Sequence, residues 1–88
     1  MAINAFVLIS ATPASIDALG TKLADLAAVR EVHSVAGSGV SLIATLRVSD
    51  HEEVATAVTQ DIAGLEGVTD TQTLIAFRSY STEEQAHF

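Results

Sequence analysis

Threonines at 69, 71 and 73 repeat with period two, beside Asp70 and Gln72. On a strand this spacing sets three hydroxyls on one face, and each hydroxyl both donates and accepts. The row suits contact with a polar small molecule; the β-propensity of threonine on a half-exposed strand gives the same pattern. A second candidate is Gly37-Ser38-Gly39-Val40-Ser41. Glycines there allow positive φ and close approach, and successive free N–H groups would hold a carboxylate. A plain hairpin turn is the simpler reading. His33, His51 and His87 share no ligand spacing, and the chain has no cysteine, so neither a metal nor a cofactor is expected. His51-Glu52-Glu53 resembles an acid/base group but follows Asp50, where a helix dipole favours carboxylates in the first turn. No Gly-Lys-Ser/Thr segment and no Gly fingerprint for nucleotides occurs.

These candidates need a scaffold. Residues 5–12 (Ala-Phe-Val-Leu-Ile-Ser-Ala-Thr) are apolar on both alternating faces, as in a central strand. Thr12-Pro13 then starts a helix, with Thr12 as the expected cap of its N–H groups. Ile16, Leu19, Leu23 and Leu26 form its apolar stripe, and Gly20 within it suggests close packing on the sheet. Residues 29–36 mix valines with Arg30, Glu31 and His33, which suits an edge strand. After the Gly37–Gly39 turn, residues 41–48 place Leu42, Ala44, Leu46 and Val48 opposite Ile43, Thr45 and Arg47, giving a second central strand. Asp50 and Glu53 have capping-box spacing before a helix with Val54, Val58, Ile62 and Leu65. Residues 68–80 make the last strand. The corners Leu26-Ala27-Ala28-Val29 and Leu65-Glu66-Gly67-Val68 recur 39 residues apart, as in a duplicated unit.

The order β-α-β-β-α-β predicts an α+β, ferredoxin-like sandwich: an antiparallel four-stranded sheet in the order 4-1-3-2, with both helices on one face. The other face stays apolar along strands one, three and four, so it is expected to meet a second copy. Residues 1–80 are read as one domain and 81–88 as a C-terminal extension. Length and charge fit this. An 88-residue chain with 49% apolar and 17% charged residues has more apolar side chains than one small core takes. The net charge of −7, with Lys22, Arg30, Arg47 and Arg78 scattered singly, argues against direct nucleic-acid binding. No run reaches the ~20 apolar residues of a membrane span, and no basic leader opens the chain, so the cytoplasm is the expected location and no membrane partner is expected.

The segment Val29-Arg30-Glu31-Val32-His33-Ser34-Val35-Ala36-Gly37 resembles the "GV-x-x-x-x-x-V-T-G" stretch of the effector-binding domain of Lrp/AsnC regulators, the RAM domain. Ala5-Phe6-Val7-Leu8-Ile9 fits that domain's first strand. Leu65-Glu66-Gly67-Val68 followed by Thr71-Gln72-Thr73-Leu74-Ile75 is similar to its "I-P-G-V-x-x-T-x-T-x-I/L" ending. The resemblance spans about residues 4–79. It implies the same fold, sheet-to-sheet dimers, and association into tetramers or rings of eight or ten. It also implies an amino acid or related effector held between dimers near the loop joining strands two and three. Full-length members carry a helix-turn-helix; this chain looks like a stand-alone RAM domain, with a full-length regulator as a possible partner. The resemblance places the effector site at Gly37, Ser38, Gly39, Ser41, Thr71 and Thr73. One departure stands out. The family loop reads Gly-Asp/Glu-Tyr-Asp, whereas Gly37-Ser38-Gly39-Val40-Ser41 is one residue longer and lacks the acid that would meet an effector's ammonium.

The resulting reading is a non-catalytic amino-acid sensor that acts through assembly. Two alternatives stay open on the residues: a ligand-free interaction module, favoured by the missing acid, and a ferredoxin-like dimeric enzyme. For the enzyme, Tyr80 and His33 are few and peripheral, and this superfold hosts many functions. The ACT domain, a related sensor, shares the fold.

Overall fold

The structure, a computed structural model, describes residues 2–80 and 82. The proposed extension 81–88, with His87, lies outside the described residues apart from Thr82. Strands β1 (Ile3–Ala11), β2 (Val29–Ser34), β3 (Leu42–Val48) and β4 (Val68–Ala76) form one antiparallel sheet in the order β2-β3-β1-β4. This is the 4-1-3-2 order expected from the sequence. The two most apolar strands take the centre, and β2, with its charged residues, takes an edge.

Alternation decides the layers. Ala5, Val7 and Ile9 of β1 and Leu42, Ala44, Leu46 and Val48 of β3 are buried on one face. They form a single cluster with Leu19, Leu23, Val54, Ala57 and Ile62 from the helical segments, so both helices cover that face. Burying side chains such as Ile9, Leu23 and Leu46 contributes about 1.5–3 kcal/mol each.

Helix α1 (Ile16–Ala24) is preceded by a 3-10 turn, Pro13–Ser15. Thr12 does not cap backbone N–H groups as expected. Its hydroxyl bonds the Ser15 hydroxyl at 2.8 Å, while its carbonyl accepts from Ser15 N at 2.9 Å. The tight turn set by Pro13 brings those two side chains together first. Gly20 also differs from expectation: a Cβ built there meets nothing within 4 Å, so no close helix-sheet approach demands it.

Helix α2 (His51–Thr56) begins as the capping-box spacing predicts. Asp50 accepts from Glu53 N at 2.9 Å, and the Glu53 carboxylate reaches back to Ser49 N, one residue before the cap, at 2.6 Å. The helix continues as a π-helical segment, Ala57–Ile62, in which Ala63 N bonds Val58 O at 2.9 Å, five residues back. That wider turn changes the buried stripe. Val54, Ala57 and Ile62 are buried, and Val58 is only partly so.

The two helix-to-strand corners have matching hydrogen bonds. Leu26 N to Leu23 O and Val29 N to Leu26 O are repeated as Leu65 N to Ile62 O and Val68 N to Leu65 O. Strand β4 ends at Ala76 rather than Tyr80, because its last partner is Asn4 near the start of β1. Phe77 and Tyr80 then stand 94% and 83% exposed.

Candidate functional site

The segment between β2 and β3 holds three consecutive positive φ angles: Gly37 at 129°, Ser38 at 48° and Gly39 at 79°. Val40 N bonds Gly37 O at 3.0 Å, so Ser38 and Gly39 are the central residues of a turn with both φ positive, the I′ pattern. Glycine adopts such angles without steric cost, and Ser38 is the one non-glycine residue described that does so.

Ser41 sits at the turn's foot, half-buried. Its N bonds Ile9 O at 2.8 Å, its carbonyl accepts from Val35 N at 3.0 Å, and its hydroxyl lies 3.3 Å from Ala11 N. The loop is thus tied to the end of β1. Ser10, which the sequence pattern did not single out, adds to this: its hydroxyl donates to Gly39 O at 2.7 Å. Its sole sequence signal was a hydroxyl breaking the apolar run of β1. Ser38 is exposed with no side-chain bond among the described residues.

Thr71 and Thr73 pair with Ile9 and Val7, so both lie on the helix-covered face, half-buried, in edge strand β4. Thr69 does not join them. The β1–β4 register shifts between Ser10 and Ala11, which pair with Asp70 and Val68, and Thr69 is left without a partner. Ile9 pairs with both Thr71 and Leu42. The loop and the threonines therefore share one end of the sheet with β1 between them, about 10 Å apart at two strand spacings. Two concavities on the protomer lie elsewhere and include none of these six residues. Within one chain the six make a polar rim at one end of the sheet.

The uncovered face carries Phe6 and Leu74, paired across β1 and β4 and 41% and 48% exposed, with Leu8, Ile43 and Ala76 around them. Polar groups frame it. At the β2 edge His33 Nε2 lies 3.2 Å from Glu31 Oε1. Among the described residues no three His, Cys, Asp or Glu side chains converge to hold a metal ion. None of their helices is long and apolar enough to cross a membrane.

The family model described as the Lrp/AsnC ligand binding domain matches residues 4–86. The chain belongs to the Lrp/AsnC ligand-binding family. A Thermus thermophilus protein of known structure, TTHA0845, is 48% identical over 90% of this chain and 98% of its own, with a TM-score of 0.84. Escherichia coli AsnC superposes with a TM-score of 0.83 at 17% identity, over 92% of this chain and 54% of that one. The Neisseria meningitidis transcriptional regulator NMB0573, solved as an L-Met complex, gives 0.78 at 14% identity, over 91% and 54%. These last two likenesses establish the shared fold. No curated protein matches the chain. Membership in the Lrp/AsnC family separates the chain from the ACT sensors and from the ferredoxin-like enzymes: its class is regulatory ligand binding, without catalysis.

Proposed function

We propose that this Lrp/AsnC domain senses an amino acid in the cytoplasm and transmits the signal through its state of assembly, without binding DNA itself. The observation that carries this reading is the family match over residues 4–86, together with a half-identical relative whose chain it covers almost end to end. The L-Met bound by the Neisseria regulator supports an amino acid as the ligand class.

Two copies pack through the open sheet face around Phe6 and Leu74. The effector meets Gly37, Ser38, Gly39, Ser41, Thr71 and Thr73 where dimers adjoin. The rim's shallowness in one protomer fits a site that a neighbouring subunit completes. The free N–H groups of the turn would take the carboxylate. A ligand held by two subunits binds the assembled form alone and so favours it by mass action. Co-assembly with a full-length Lrp/AsnC regulator would carry the signal to DNA.

The test is a thermal-melt screen against the common amino acids, with mass by light scattering on each hit. A ligand at a hundred times its Kd stabilises by about 2.7 kcal/mol. At roughly 4–8 °C per kcal/mol the shift is plain. A selective shift with a change in mass is expected; stable oligomers with no shift from any amino acid would favour the ligand-free interaction module. Because the loop lacks an acid, Ser41→Asp is expected to tighten amino-acid binding by supplying a partner for the ammonium. Unchanged affinity would refute that account of the loop.

A further inference from the structure

The chain leaves the sheet beside a groove that it does not fill. Strand β4 ends at Ala76, opposite Asn4, and Phe77-Arg78-Ser79-Tyr80 continues past the start of β1. These four residues include no glycine or proline to turn them back. They form an arm carrying Phe77 and Tyr80, the two most exposed large apolar side chains among the described residues. At the same end of the sheet lies an open groove of about 950 Å³, with Ala2 on its wall, two residues before Asn4. It is bounded by the α1–β2 corner, the end of β3 and α2.

Arm and groove are complementary in chemistry. Ala27, Ala28, Val48 and Ala57 give the groove walls of small apolar side chains, which leave room for aromatic rings. Glu52 lines its α2 side and is exposed. The one side-chain ion pair among the described residues is His33 with Glu31, so Glu52 and Arg78 both lack a partner there. The neighbouring acids differ: Asp50 and Glu53 are already engaged by backbone N–H groups at the start of α2. Arg30 stands at the rim, where the β2–β3 register shift leaves it without a partner on β3. Its guanidinium offers a flat face to an aromatic ring. An arm that reads aromatic, cation, hydroxyl, aromatic therefore meets an apolar wall, a free carboxylate and a guanidinium face.

We propose that the arm of residues 77–80 docks in this groove on a second copy of the chain. Phe77 covers Ala28 and Ala57, Arg78 pairs with Glu52, and Tyr80 stacks on Arg30. Arm and groove share one end of the sheet, so a two-fold axis there lets each copy give its arm and receive the other's. Such an isologous contact closes on itself. The four aromatic side chains of the pair bury about 150–250 Å² each. With the groove walls they cover, the exchange reaches the roughly 1,200–2,000 Å² that stable interfaces bury. This contact is distinct from the open face around Phe6 and Leu74 and from the loop at the other end of β3, and it depends on neither reading.

Tyr80 is the only tyrosine and the chain has no tryptophan, so its fluorescence reports on the arm alone. Acrylamide quenching of the intact protein is followed across protein concentrations, with mass by light scattering. Tyr80 is expected to become shielded as concentration and mass rise together. Arg78→Glu and Glu52→Arg, both at exposed positions, each set like charges together at both contacts of the pair. Each is expected to raise the concentration needed for shielding by at least about tenfold. An equimolar mixture of the two variants is expected to restore shielding, because every arm in a mixed pair meets an opposite charge. Shielding that does not depend on concentration would show Tyr80 covered by its own chain and would overturn the proposal. So would a Tyr80 that is freely quenched at every concentration, variants that shield like the parent, or a mixture that fails to restore what each variant lost.

Discussion

Gly67→Ala tests the joint that sets β4 against α1. Gly67 has φ +99°, and its carbonyl accepts from Thr12 N at 3.0 Å, where β1 passes into the first helical turn. A Cβ at this position would stand 2.5 Å from Ser15 Cβ and 2.6 Å from Ser15 Oγ. Two costs follow. Left-handed backbone costs a non-glycine residue about 1–2 kcal/mol. Overpacking against a fixed neighbour adds about 1–3 kcal/mol. The expected loss is about 2–5 kcal/mol, or a fall in Tm of at least about 8 °C for a domain of this size. Urea unfolding at constant protein concentration measures it, with concentration fixed because the proposed assembly would add to stability. The two costs separate in a double-mutant cycle with Ser15→Gly, which removes the clashing Cβ and leaves the backbone strain. A coupling of about 1–3 kcal/mol is expected, with about 1–2 kcal/mol left unrecovered. A Gly67→Ala protein within 2 °C of the parent would refute the geometry of the corner. Zero coupling to Ser15 would refute the clash as its cause.

Gly20→Ala is expected to stabilise the chain by roughly 0.5–1 kcal/mol, since its helical position gains propensity and the added methyl meets nothing within 4 Å; a raised melting temperature checks it. Asp50→Ala removes the side chain that accepts from Glu53 N and should cost about 0.5–2 kcal/mol in the same unfolding assay. Leu74→Glu, on the open face beside Phe6, is expected to lower the mass in solution while leaving far-UV circular dichroism unchanged, because the side chain is half exposed in the protomer. An unaltered mass would place the dimer contact elsewhere.

The sheet order was legible because hydrophobic alternation differs between strands. β1 is apolar on both faces and β3 nearly so, while β2 carries Arg30, Glu31 and His33; those patterns alone place two strands inside and one at the edge. The capping of α2 was legible too, since Asp50 and Glu53 act within one turn. What escaped the sequence depends on register and backbone geometry. Thr69 reads as one of three equal threonines until the β1–β4 shift leaves it unpaired. Val58 fits a 3.6-residue stripe until a π turn moves Ala57 into the core. Phe77 continues the alternation of β4, but β1 offers it no partner. Gly20, within the first helix, suggests close packing in the sequence yet sits in open space, while Gly67, at a helix-to-strand corner, is the glycine that admits no Cβ. The six effector candidates were found by resemblance and by residue type. Their separation by β1, and the role of Ser10 in fastening the loop, needed three dimensions.

The position of that loop bears on how a ligand would act. Its hydrogen bonds run to Ile9, Ser10 and Ala11, the last residues of the strand whose other side chains, Phe6 and Leu8, lie on the open face. β1 is also the strand that joins β3 to β4, so it touches both parts of the proposed effector rim. A ligand engaging the turn and Thr71 from a neighbouring subunit would therefore load the same strand that carries the proposed dimer face. Strands packed this densely transmit displacement poorly by deformation and better by choosing between assembled arrangements. A sensor of the proposed kind would thus select an oligomer on binding its ligand, and a small chain with no cysteine would gain part of its stability from that oligomer as well.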